Sequence, residues 1–205
     1  MILTNQKYIF RLTLLMWLIL QALSTRLKAQ APTSGDCLGA FTVCQITYEQ
    51  TASFVGEGTV IGEINPNAPG LCLTSGERNN AWYMITVQSG GRFGFNIAPN
   101  CPNADYDWAL FDLTNATCAD IATNPSLLVA CNYRGSIDPT PVTGMNDGPN
   151  PQDENMIDVS AGKVYALIVN NFSGLGQCGY QLDFKINEGL PNESTADIID
   201  DVPPT

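Results

Sequence analysis

The chain has no histidine. Without an imidazole neither a Ser-His-Asp nor a Cys-His nucleophilic arrangement can be assembled, and no G-x-S-x-G elbow is present. There is no C-x-x-C pair, so the spacing of a zinc site is missing as well. The glycines of G-E-G-T-V-I-G at 56–62 match neither G-x-G-x-x-G nor a phosphate loop and read as turns. Basic residues are scarce: 9 Lys and Arg stand against 20 Asp and Glu. Four of the nine lie in residues 1–29, which contain no acid, so the remainder carries five basic against 20 acidic residues and a net charge of −15. That surface repels a phosphate polyanion, which excludes nucleic acid as a partner and leaves divalent cations as the charged company it favours.

Long apolar runs are also missing. Lys7 and Arg11 precede an apolar stretch from Leu12 to Leu20, and a small residue follows at Ala29. This is the pattern of a secretory signal peptide over 1–29, too short to span a bilayer, where roughly 20 apolar residues are needed. The expectation is cleavage close to Ala29, no membrane span afterwards, and a secreted or cell-surface location. Residues 30–186 suffice for one domain with a substantial core. From Asn187 the sequence E-G-L-P-N-E-S-T-A-D-I-I-D-D-V-P-P-T is acidic and proline-containing, and 187–205 reads as a disordered tail or linker.

What is abundant is the period-2 pattern of β-strands. Tyr83, Ile85 and Val87 share one face of a run, and Phe93, Phe95 and Ile97 alternate with Arg92, Gly94 and Asn96. In D-Y-D-W-A-L-F-D both faces are apolar, Trp108 and Leu110 on one and Ala109 and Phe111 on the other, which predicts a central strand buried on both sides. Strands are also expected over Ala52–Val55, Thr59–Ile64, Leu127–Asn132 and Lys163–Val169, with a long polar loop from Tyr133 to Asn155. A last strand carries Tyr180, Leu182, Phe184 and Ile186 inward. Strands at this spacing without long helical periods predict an all-β, antiparallel sandwich.

Seven cysteines follow the export signal, at 37, 44, 72, 101, 118, 131 and 178, and read as structural disulfides in an oxidising compartment. The odd count leaves one thiol free or paired with another chain. Asp36 reads as the N-cap of a short helix through Cys44, which would hold Cys37 and Cys44 two turns apart, too far to bridge each other. Cys72 is then the nearest partner in sequence. Cys118 is expected to pair with Cys131, because one follows the doubly buried strand and the other ends the next.

Two groups of oxygen donors stand out. Asp105 and Asp107, at i and i+2 of an extended segment, point the same way and form the start of a calcium site, with Asn103 as a further donor. The alternative is that they accept turn hydrogen bonds. The second group, Asn146, Asp147, Asn150, Asp153 and Glu154, lacks the EF-hand order and reads as a solvated loop. Tyr106, Tyr133 and Phe172 are candidates for stacking on a sugar ring, while Trp82, Phe93 and Phe95 belong to the core.

Five segments occur in one order: W-Y-M-I-T-V-Q-S-G-G-R-F from 82, D-Y-D-W-A-L-F-D from 105, Cys118 with A-C-N at 130–132, A-G-K-V-Y-A-L-I-V-N-N-F from 161, and G-Y-Q-L from 179. In that order they resemble the jelly-roll module related to pre-peptidase C-terminal domains, as found in secreted proteins of gliding bacteria that use type IX secretion. The resemblance covers roughly 36–186 and implies a single jelly-roll-like sandwich in a gliding-associated surface protein. With no catalytic residues assigned, the expected function is a non-catalytic extracellular interaction module for adhesion, matrix or accessory roles. Its partner is expected to be an extracellular glycan or surface protein. The alternative is a calcium-assisted carbohydrate-binding module, and a hydrolase ranks third.

Overall fold

A computed structural model describes residues 30–133, 142–147, 153–174, 176 and 178–186. The expected signal peptide and acidic tail lie outside the described residues. Ten strands form two five-stranded sheets. They are β1 (Phe41–Thr42), β2 (Thr47–Gln50), β3 (Asn80–Thr86), β4 (Gly91–Pro99), β5 (Tyr106–Asp112), β6 (Leu128–Asn132), β7 (Thr143–Met145), β8 (Ile157–Val159), β9 (Val164–Asn171) and β10 (Tyr180–Ile186). One sheet has the order β1-β3-β9-β5-β6 and the other β2-β10-β4-β7, with β8 also on β4. Pairing is antiparallel except between β1 and β3. Among the described residues no helix is long and apolar enough to cross a membrane.

The alternating residues meet between the sheets. Tyr83, Ile85, Trp108, Leu110, Leu167 and Val169 from one sheet pack on Phe93, Phe95, Ile97, Tyr180, Leu182 and Phe184 from the other. Phe95 and Trp108 meet edge to face at 4.7 Å, a geometry worth about 1 kcal/mol beyond area burial. The doubly apolar pattern of β5 has a second cause. Trp82, Ala109, Phe111, Ala166 and Ile168 form the outer face of the first sheet, and the connections cover it with Ile64, Leu71, Leu73, Leu113 and Ile121. β5 is therefore buried on both faces as expected, but the middle of the sheet is β9, and β5 lies between β9 and β6.

Several expectations are corrected. Asp36 caps no helix through Cys44: a three-residue 3-10 turn at Cys37–Gly39 leads directly into β1. Its buried carboxylate instead accepts from the backbone N–H groups of Thr33, Thr59 and Val60. Segments 52–55 and 59–64 are not strands. The carboxylate of Glu77 takes the N–H groups of Gly62 and Glu63, Glu63 takes that of Cys37, and Asp36 takes those of Thr59 and Val60. Buried carboxylates thus take up N–H groups that a β-ladder would otherwise use, and the connection stays irregular. Within the expected long loop, β7 pairs with β4 and buries Met145. Gly144 is required there, because a Cβ would run into the Phe95 carbonyl oxygen.

The disulfides join Cys37 to Cys118, Cys72 to Cys131 and Cys101 to Cys178, and leave Cys44 as the free thiol. The expected Cys118–Cys131 pair is incorrect for a topological reason. β6 runs antiparallel to β5, so Cys131 opposes Ala109 in the middle of β5, whereas Cys118 lies six residues beyond the end of that strand at Asp112. Each cysteine is instead sewn to a connection crossing the outer face. Three disulfides in one small sandwich mark a chain that matures in an oxidising compartment.

Candidate functional site

The sandwich carries a polar array at one end of the outer face of the first sheet. Asp107 of β5 pairs with Asn170 of β9, which pairs with Asn80 of β3. One pleat further out, the Phe172 N–H donates to the Asp105 carbonyl at 2.8 Å, so Asp105 and Phe172 continue the β5–β9 ladder. Partners across a ladder share a face, as do residues two apart along a strand. Asp105, Asp107, Asn170 and Phe172 therefore stand in a block of four. Arg78 lies over the Phe172 ring at 4.9 Å from its centroid.

Segment 72–76 closes over this block and leaves a cavity of about 250 Å³. Its walls include Asp105, Asp107, Asn170, Arg78, Tyr133 and Phe172. The Asn170 amide donates to the Gly76 carbonyl at 2.8 Å, and the Cys72–Cys131 disulfide ties the covering segment to β6. The cavity is thus framed by strands and a cross-link.

Among the described residues its walls hold two carboxylates and one guanidinium. Asp107 is 8 % exposed and Asn170 3 %, yet Oδ1 of each has no hydrogen-bond partner. A buried acceptor left in that state costs about 1 to 3 kcal/mol. Burial, and after it the neighbouring charge of Asp105, pushes the Asp107 carboxyl up to about 7 from an ordinary 3.8. No ion pair joins Arg78 to Asp107. Glu77, behind the covering segment, is also pushed up to about 7, first by burial, although two N–H groups donate to it.

The residues singled out from the sequence divide clearly. Asp105 and Asp107 do share one cavity, whereas Asn103 is exposed and takes no part in its walls. A side-chain oxygen that does share the wall belongs to Asn170, 63 positions beyond Asp107 and brought beside it by the β5–β9 register. Among the described residues no group of three or more His, Cys, Asp or Glu comes together. Tyr133 and Phe172 are 71 % and 43 % exposed at the cavity, as stacking requires. Tyr106 is only 2 % exposed and its hydroxyl bonds to Ser53 and to the Cys178 carbonyl, which removes it as a sugar platform. In the second group, Asp147 pairs with Arg92 at 2.6 Å and accepts the Met156 N–H, and the Asn146 amide donates to Asn96. Those residues hold the β7–β8 connection together; Asn150 lies outside the described residues.

Comparison of the sequence with protein-family models and with curated proteins finds no match. Among solved structures, the chain is similar to the pre-peptidase C-terminal domain of collagenase from Bacillus anthracis. The identity is 14 %, the match covers 71 % of this chain and 94 % of that one, and the TM-score is 0.39. It is also similar to a surface-associated copper-binding protein of Methylomicrobium album BG8, at 8 % identity over 72 % of this chain and 97 % of that one, with a TM-score of 0.35. In its own right the chain is an all-β, disulfide-stapled sandwich of two five-stranded sheets.

Proposed function

We propose that this chain is a non-catalytic extracellular binding module, an adhesion, matrix or accessory domain of a secreted or surface protein, that takes its ligand at the mouth of the Asp105–Asp107 cavity. The observation that carries this reading is the pairing of a preformed polar cavity with two exposed aromatic rings, Tyr133 and Phe172, in its wall. Such rings offer flat apolar faces beside polar groups, which suits the ring of a sugar, so an extracellular glycan is the preferred partner and a surface protein the second.

The carboxylates argue against hydrolysis. Glycosidase acids face each other across the scissile bond, whereas Asp105 and Asp107 stand side by side on one strand and leave no cleft between them. The free thiol Cys44 has no imidazole to activate it. The oxygen donors on the cavity floor favour a second reading, calcium-assisted carbohydrate binding, which adds an ion beneath the same mouth.

A glycan array probed with the full chain tests the module. Binding should weaken about five- to thirtyfold in Tyr133→Ala and in Phe172→Ala, since one stacked ring contributes about 1 to 2 kcal/mol. Hits that survive both substitutions would place the ligand elsewhere on the molecule.

A further inference from the structure

On the reading of this cavity as a glycan site, we infer that Asp107 and Asn170 select the ligand, each accepting a hydrogen bond from a free hydroxyl of one sugar ring. The two side chains are neighbours across the β5–β9 ladder and stand in the same cavity wall. Both are more than nine-tenths buried, and Oδ1 of each has no hydrogen-bond partner. For Asn170 the orientation is set from outside the cavity. Its amide nitrogen donates to the Gly76 carbonyl at 2.8 Å, so the oxygen is the end of the amide left over.

Two preset acceptors act as a filter. A group that enters the cavity displaces water from them and must donate hydrogen bonds in its place, or leave a buried acceptor unpaired. Sugar hydroxyls are donors; a sulfate offers acceptors only, and a methyl ether or a deoxy position donates nothing. A ring whose two facing hydroxyls are free is admitted, and one in which either is sulfated, methylated or removed is refused. The size of the space suits a single ring, since about 250 Å³ lies just below the roughly 300 to 1,000 Å³ of sites that enclose larger ligands. Tyr133 and Phe172 hold the apolar face of that ring at the mouth, and the hydroxyls of Thr74 and Ser75 line the same space. Affinity and choice are thereby divided: stacking tolerates many sugars, whereas a site built to bond particular hydroxyls rejects the analogue that lacks them.

An array of hexose- and N-acetylhexosamine-terminated oligosaccharides, probed with the full chain, supplies the ligand. Isothermal titration with the strongest hit and with its monodeoxy analogues then tests the inference. Removal of either of two hydroxyls on one ring should weaken binding about tenfold or more, and removal of any other hydroxyl of that ring by less than about twofold. Asp107→Ala and Asn170→Ala should each lose about tenfold or more, Asp107→Asn, which keeps an acceptor oxygen, should lose less, and Asp158→Asn on the exposed face of β8 should lose nothing. The deoxy series is measured on the parent chain, so a variant that fails to fold leaves the test intact. Binding that depends on Tyr133 and Phe172 but is indifferent to every deoxy position overturns the inference and keeps the module. Deoxy losses beside unchanged affinity in Asp107→Ala and Asn170→Ala put the acceptors elsewhere and overturn it too. An array without hits, or hits that survive both ring substitutions, overturns the inference and the glycan reading together.

Discussion

Moving the Asp107 carboxyl from water into the cavity wall makes its charged form the costly one. Its pKa of about 7, against 3.8 for the exposed group, means that the folded chain holds a proton which the unfolded chain has already released. Folding stability must then fall as pH rises from about 4 to about 7, and stay low above that. In a chelating buffer at pH 8, Asp107→Asn is expected to be more stable than the parent by about 2 to 4 kcal/mol, which urea titrations of both chains would measure. Equal midpoints would place the charge in contact with an unseen partner. Asp36 has the opposite sign. Burial alone would raise it, but the N–H groups of Val60, Thr33 and Thr59 outweigh burial and bring it down to about 2. Its contribution is present above pH 3.8 and is lost as pH falls through 2. Asp36→Ala should cost about 3 kcal/mol at neutral pH, because three backbone donors lose a charged acceptor.

At the scale of the element, legibility follows the range of the interaction that fixes it. β3, β4 and β10 declare themselves through alternation, since burial against one core imposes period 2 directly on neighbouring residues. Asp105 and Asp107 share a face for the same local reason. Asn170 was not legible, because only the β5–β9 register brings it beside Asp107; an asparagine in an otherwise apolar run, A-L-I-V-N-N-F, was the signal that could have raised the question. The irregular segment from 59 to 64 looks strand-like in its side chains, yet the N–H groups of Thr59, Val60, Gly62 and Glu63 are taken by Asp36 and Glu77 from outside it. The cysteine pairing failed likewise, because it depends on connections crossing the outer face. Non-reducing peptide mapping should recover the 37–118, 72–131 and 101–178 bridges, and a 118–131 peptide would contradict the topology. Replacing Cys72 and Cys131 together by serine should cost about 4 kcal/mol by the chain-entropy estimate for a separation of 59. It should also weaken ligand binding, because the covering segment loses its tie to β6.

For the molecule as a whole these acids add up. Asp107 and Glu77 both sit at about 7, and the chain carries 20 acids against 9 basic residues. Both the buried protons and the easing of surface repulsion favour mildly acidic solution. In chelator, thermal midpoints should rise as pH is lowered from 8 to about 5 and turn down below about 3.8, where the unfolded chain takes up a proton that Asp36, titrating at about 2 in the fold, still refuses. A maximum at pH 8 would contradict this balance. The two-layer burial of the first sheet also has a practical consequence. The segment that closes the cavity rests on the outer layer alone, while the aromatic core between the sheets lies on the other side of β5 and β9. Positions 74, 75 and 133 can therefore be randomised without disturbing the load-carrying core, so the fold is a ready scaffold for selecting new binding specificities from a library confined to three codons.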